Sequence, residues 1–264
     1  MVYVLFIVIA LVSFAVQRTL QSKFERYSKI PIPYGLTGRD IAMRMLQENG
    51  INDVSVTQVD GHLTDHYNPA THTVNLSRDV YYGNSVAAAA VAAHECGHAV
   101  QHARSYSFLN LRSALVPFVS FASNWVQWIL LIGILTIQAY PAIMLLGIIL
   151  FAATTLFSFI TLPVEINASQ RALAWLNGAG VTDASTHDKA KDALKWAAYT
   201  YVVAALGSLA TLVYYIIIFA GVRRDSKGII AYIILKNKGC YSCEYQPFFI
   251  QMRDKNISLF CIYE

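Results

Sequence analysis

Residues 86–103 read VAAAAVAAHECGHAVQHA, and the rest of the chain is best read outward from them. Alanine is the strongest helix former, so the stretch predicts one helix from Val86 to Ala103. Helical residues four apart share a face. His94 and His98 can therefore offer two imidazoles to one metal ion, at the roughly 2.0–2.1 Å of a Zn–N bond. Glu95 lies beside them and can act on a metal-bound water without ligating the metal, the division of labour that explains the His-Glu-x-x-His spacing. Cys96 points off the ligand face and reads as a small packed residue. Gly97 weakens a helix interior, so its presence predicts close packing against another element.

The surroundings of this helix call for lipid. Of 264 residues 56% are hydrophobic and only 14% charged, against roughly 25% charged in a soluble domain. Val2–Val16 is nearly all apolar, and residues 1–17 read as an N-terminal transmembrane anchor. No Lys or Arg precedes that run, as a cleaved signal peptide would require. Ala114–Ile137 and Tyr140–Ile160 are two apolar runs with almost nothing between them, a transmembrane hairpin over residues 114–160. Ala197–Val222 is a fourth span, within a segment 197–224 that closes on Arg223 and Arg224. Asn124 and Gln127 are polar residues in the second span and should face protein, not lipid. The net charge of +4 includes no polybasic block, which excludes a nucleic-acid surface. The cysteines Cys96, Cys240, Cys243 and Cys261 form no disulfide framework, and Cys240 and Cys243 lack the second pair of a zinc knuckle.

Residues 18–113 read as the catalytic region. Thr37 is placed as an N-cap and Gly50 as a C′ glycine around a helix with Ile41, Ala42, Met45 and Leu46 on one face. Val54, Val56 and Val59 mark a strand. His62–Tyr67 and Thr73–Leu76 mark two more, joined by a turn at Asn68-Pro69, and the expectation is a short antiparallel sheet. In a strand His62 and His66 stand about 13 Å apart and cannot chelate one ion. Val74, Asn75, Leu76 and Ser77 directly precede the zinc-motif helix and are expected to form an exposed edge that pairs with an extended substrate peptide. Residues 161–196 should be helical in parts, broken at Gly178 and Gly180, and should carry the third ligand. The tail 225–264 shows no clear periodicity.

A hydrolytic zinc needs three protein ligands and an open position. No histidine follows His98 at the short spacing of the metzincins. The hairpin crosses twice and returns the chain to the side of His98, which makes Glu165 the best-placed carboxylate. Asp183, Asp188 and Asp192 lie farther from the hairpin in a polar segment. Glu165 follows Pro163 at the membrane edge, where an unpaired carboxylate is costly to desolvate.

Five stretches also carry a family likeness. They are Asp65-His66-Tyr67-Asn68-Pro69, Val74-Asn75-Leu76-Ser77, AAHECGHA at 92–99, LPVEINAS at 162–169 and TYVVAAL at 200–206. Together they resemble the YugP-like neutral zinc metallopeptidases, a bacterial membrane family, from the first span to about Arg224. The resemblance implies a zinc peptidase in a bacterial cell membrane, with Glu165 as third ligand. HtpX-type proteases are a more distant likeness, with Glu-x-x-Ala-Asp after a similar hairpin. Here Ser169 stands in place of that Asp, so either Asn167 or Ser169 can hold the first histidine.

The expected architecture is a mostly α protein, a zincin-like α+β catalytic unit integrated with a four-helix transmembrane region. The expected function is a multi-pass membrane zinc metallopeptidase, in particular an endopeptidase, that hydrolyses peptide or protein substrates with a zinc-activated water. A zinc-dependent amidase or deacylase would use the same water, and a non-catalytic membrane zinc protein is the third reading. Lys and Arg concentrate in 17–113 and 161–196, which by the positive-inside rule puts the site on the cytoplasmic side. Arg223 and Arg224 run against that bias, since four crossings leave them outside.

Overall fold

The computed structural model describes residues 2–61 and 63–237. His62, Cys240, Cys243 and Cys261 lie outside the described residues. The chain is mostly helical. Among the described residues seven α-helices run α1 (Val2–Tyr27), α2 (Gly38–Glu48), α3 (Arg78–Tyr81), α4 (Val86–Ala103), α5 (Ser107–Thr136), α6 (Pro141–Gly178) and α7 (Ala184–Asn237). Three short strands, β1 (Ser55–Val59), β2 (His66–Asn68) and β3 (Thr73–Ser77), lie between α2 and α3. Among the described residues, those up to Ala220 form one compact unit.

Local chemistry sets the elements between the first and second long apolar helices. Thr37 opens α2 with a reciprocal capping box: its Oγ1 accepts from the Asp40 N–H, and its own N–H donates to Asp40 Oδ2. The Thr37 hydroxyl also donates to Asp40 Oδ2, and together with the Thr37 N–H it holds the Asp40 carboxyl below its ordinary pKa. Ile41, Ala42, Met45 and Leu46 are buried as one face, and Gly50 takes φ +74° just past the helix end. Ser85 caps α4 by accepting from the Ala88 N–H. The alanines at 87–90, 92, 93 and 99 of α4 are almost fully buried in the hydrophobic core, between α2, the sheet and the far end of α6.

The sheet differs from the expected antiparallel meander. Its order is β1-β3-β2, with β1 parallel to β3 and β2 antiparallel to it. The chain leaves β1, passes to the far side of the sheet as β2, and returns through the Asn68-Pro69 turn into the middle. Asn68 Oδ1 fastens that turn by accepting from the Ala70 and Thr71 N–H groups. Alternating residues mark strands, but they do not say which neighbour each strand takes. The expectation that Val74–Ser77 is an exposed edge is therefore overturned. β3 is paired on both sides, and Val74 and Leu76 are fully buried.

Among the described residues four helical stretches are long and apolar enough to cross a membrane: Val4–Tyr27, Ser107–Thr136, Pro141–Gly178 and Ala184–Val222. Each is one unbroken helix running through the points at which the sequence divides spans from polar stretches. In particular, Glu165 does not follow a separate span; it lies within α6. The polar stretch expected at 161–196 is the end of α6, a turn through Gly180 at φ +66°, and the start of α7.

Candidate active site

Helices α4 and α6 meet at a glycine. A Cβ on Gly97 would stand 2.6 Å from the Ala168 carbonyl oxygen, so only glycine permits this approach. That contact sets the ligand-bearing face of α4 against the turn of α6 that holds Glu165. Cys96 points the other way, fully buried, with its Sγ toward the Ala42 carbonyl. Burial pushes that thiol far above its ordinary pKa, as suits an inert packed residue.

The donor atoms of His94, His98 and Glu165 all lie within 4.8 Å of one another, the one such trio among the described residues. Glu165 Oε2 is 3.3 Å from His94 Nε2 and 3.6 Å from His98 Nε2. Tetrahedral bonds of roughly 2.0–2.1 Å put neighbouring donors about 3.3 Å apart, so the spacing suits a small metal ion. Each imidazole is also held by its other nitrogen. Ser169 Oγ bonds His94 Nδ1 at 3.1 Å, and Gln101 Oε1 bonds His98 Nδ1 at 3.0 Å. Both Nε2 atoms are thus turned toward the shared carboxylate, the arrangement that orients metal-binding histidines.

The two residues proposed to hold the first histidine separate here. Ser169 does so directly. Asn167 instead accepts from Gln101 Nε2 and from Arg171 Nε, so it serves His98 through Gln101. Gln101 also donates to the Val164 carbonyl, which ties α4 to α6 a second time. The sequence reading missed Gln101, although its spacing of three from His98 places it on the same helix face.

Glu95 is buried beside the trio, and its Oε2 accepts from the backbone N–H of Tyr67 on β2 at 3.0 Å. β2 is the edge strand that borders the site, and β3 props it. Ser77 donates its N–H and hydroxyl to the Asp65 carboxylate, and Asn75 Nδ2 lies 3.2 Å from His66 Nε2. Burial raises the pKa of Asp65 above the usual carboxylate range, against the opposing bonds from Ser77.

Glu165 is only 3% exposed. Arg112 of α5 brings a guanidinium nitrogen 3.6 Å from its Oε1. Burial disfavours a charge on His98, but the bond and charge of Glu165 outweigh it and raise that imidazole's pKa.

Two cavities, of about 380 and 160 Å³, share Asp65, His94, Glu95, Glu165 and Tyr201 in their walls. The larger adds residues of β2 and α5, and the smaller adds Val91, Ser169 and, from α7, Leu194, Ala197 and Ala198.

Comparison with known proteins agrees with this chemistry. The chain is 44% identical over 214 residues to a protein of Bacillus subtilis (strain 168) named "Putative membrane protease YugP", covering 81% of this chain and 94% of that protein. No solved structure matches it. Residues 2–220 match the family described as "Putative neutral zinc metallopeptidase", and the chain belongs to that family.

Proposed function

We propose that this protein is a membrane-bound zinc endopeptidase, with zinc held by His94, His98 and Glu165 and with Glu95 as its general base. The observation that carries the reading is the convergence of three donors, each braced by a hydrogen bond or ion pair, on the floor of a cleft with a buried glutamate beside them. Zinc held by these residues would supply Lewis acidity, polarising a carbonyl and acidifying water. Glu95 accepts the water proton and passes it to the leaving amine. The Tyr67 N–H fixes one oxygen of that carboxylate and leaves the other for the proton. Arg112 and Tyr201 line the same cleft and are placed to donate to a carbonyl oxygen as charge develops on it. β2 offers its outer edge to an extended peptide. Two cavities that share His94, Glu95 and Glu165 give a peptide room beyond the donors, which suits cleavage within a chain. The concentration of Lys and Arg in 17–113 and 161–196 supports a cytoplasmic site.

The test is Glu95→Gln in purified, zinc-loaded protein. The side chain keeps its size and loses its basicity, so peptide hydrolysis should fall by about 10²-fold or more, on the scale of general-base catalysis. Zinc content by elemental analysis should not change. Hydrolysis near the wild-type rate in a zinc-replete variant would remove Glu95 from the mechanism.

A further inference from the structure

We propose that the natural substrates are membrane-inserted proteins, cut in the segment that emerges from the bilayer next to a transmembrane helix. The inference rests on the peptidase reading above and names its substrate class.

The depth of the site carries it. On α5 no charged residue follows Arg112 up to Thr136. On α6 none lies between Pro141 and Glu165, and on α7 none lies between Lys195 and Arg223. Each uncharged stretch exceeds the roughly 20 residues that cross a 30 Å hydrocarbon core. Arg112 and Glu165, the charges that bound two of these stretches, meet in the cleft itself. The donor trio therefore lies at the level where the helices turn apolar, and not out in the polar region.

The cleft walls cross that level. Ser113 and Val116 lie beyond Arg112 on α5, and Tyr201 lies beyond Lys195 on α7, all within the uncharged stretches. The opposite wall is polar, built from Asp65, His66 and Tyr67. Phe108, Leu111 and Phe118 of α5 are exposed around the same level, which makes an apolar surface beside the mouth. The aromatic pairs Tyr106–Phe108 and Trp196–Tyr199 mark the level on α5 and α7, as aromatic residues do at a membrane interface. A peptide in this cleft has backbone partners on one side and an apolar wall continuous with lipid on the other. That is the environment of a chain leaving a bilayer. The reaction is ordinary hydrolysis: the C–N bond breaks, the water oxygen joins the carbonyl carbon, and both water protons end on the new amine.

The test uses the full-length, zinc-loaded protein in liposomes with three reporters that share one randomised peptide stretch. In the first the stretch directly follows a transmembrane helix. In the second a Gly/Ser spacer of about 30 residues, reaching some 30 Å on average, separates them. The third is the free peptide. Cleavage is read by mass spectrometry, with Glu95→Gln as the blank. The first reporter should be cut about tenfold or more faster than the second, which is equally tethered and so equal in local concentration apart from its reach. Its cuts should fall close to the helix end. Equal rates on the first two reporters, or a preference for the free peptide, would overturn the inference and leave the peptidase standing. No cutting of any reporter would remove the peptidase reading, and this inference with it.

Discussion

Glu165 and Gln101 both touch the zinc-motif histidines, yet their loss should read differently. Glu165→Ala removes a donor and leaves the Arg112 guanidinium facing two imidazoles. Zinc content and hydrolysis should both collapse, while Glu95→Gln loses hydrolysis alone. Full zinc occupancy at native affinity in Glu165→Ala would mean that the third ligand lies elsewhere. Gln101→Ala keeps all three donors but frees the His98 ring. Its zinc affinity should drop by roughly 10–100-fold, the usual cost of losing a partner that orients a ligand. Competition with a chelator measures this, and an unchanged affinity would reduce Gln101 to a link between helices. His94, Glu95 and His98 were legible because one helix sets their spacing. Gln101, Arg112 and Tyr201 were not singled out. Gln101's spacing from His98 gives only a shared helix face; its role, like those of Arg112 and Tyr201, depends on which helices meet, and a lone Arg or Tyr carries no spacing signal of its own.

Among the elements, the crossing of α4 and α6 governs the site. In Gly97→Ala the new Cβ would press on the Ala168 carbonyl. Overpacking of this kind costs about 1–3 kcal/mol, and here it also pushes His94 and His98 away from Glu165. Thermal unfolding in detergent should come at lower temperature, and zinc affinity should fall with it. A variant with native affinity would show that the crossing tolerates more separation than the contact suggests. Thr37→Ala is the complementary case, since it removes the α2 cap far from the donors. It should cost about 1 kcal/mol of stability and leave zinc affinity alone. Element boundaries in the catalytic region were readable from capping residues and periodicity: Thr37, Gly50 and the limits of α4 all stand where the sequence put them. The pairing order of the sheet was not, because β2 and β3 alternate equally well in either place. The long helices hid their true length for another reason. A change from apolar to polar residues marks a change of solvent, not the end of a helix.

For the whole molecule, the side of the membrane is the open quantity to measure. Asp60→Cys and Ser185→Cys stand at exposed positions near the site end of the molecule. In an otherwise cysteine-free protein, an impermeant thiol reagent should label neither on intact cells and both after permeabilisation. Labelling of both on intact cells would put the site outside. Helix α6 joins the site to the membrane more tightly than a loop would. It is one rod from Pro141 to Gly178, with its uncharged stretch in lipid and Glu165 on the same axis. A rod longer than the local hydrocarbon thickness tilts to hide its excess, and one that is too short draws the bilayer in. Tilt swings Glu165 through an arc relative to the histidines of α4. Turnover should therefore depend on lipid acyl-chain length, peaking where the hydrocarbon thickness matches the rod, at about 30 Å, and declining in thinner and thicker liposomes. A flat profile would mean that the Gly97–Ala168 contact is stiff enough for α4 to lean with α6, so that the enzyme does not register the thickness of the membrane around it.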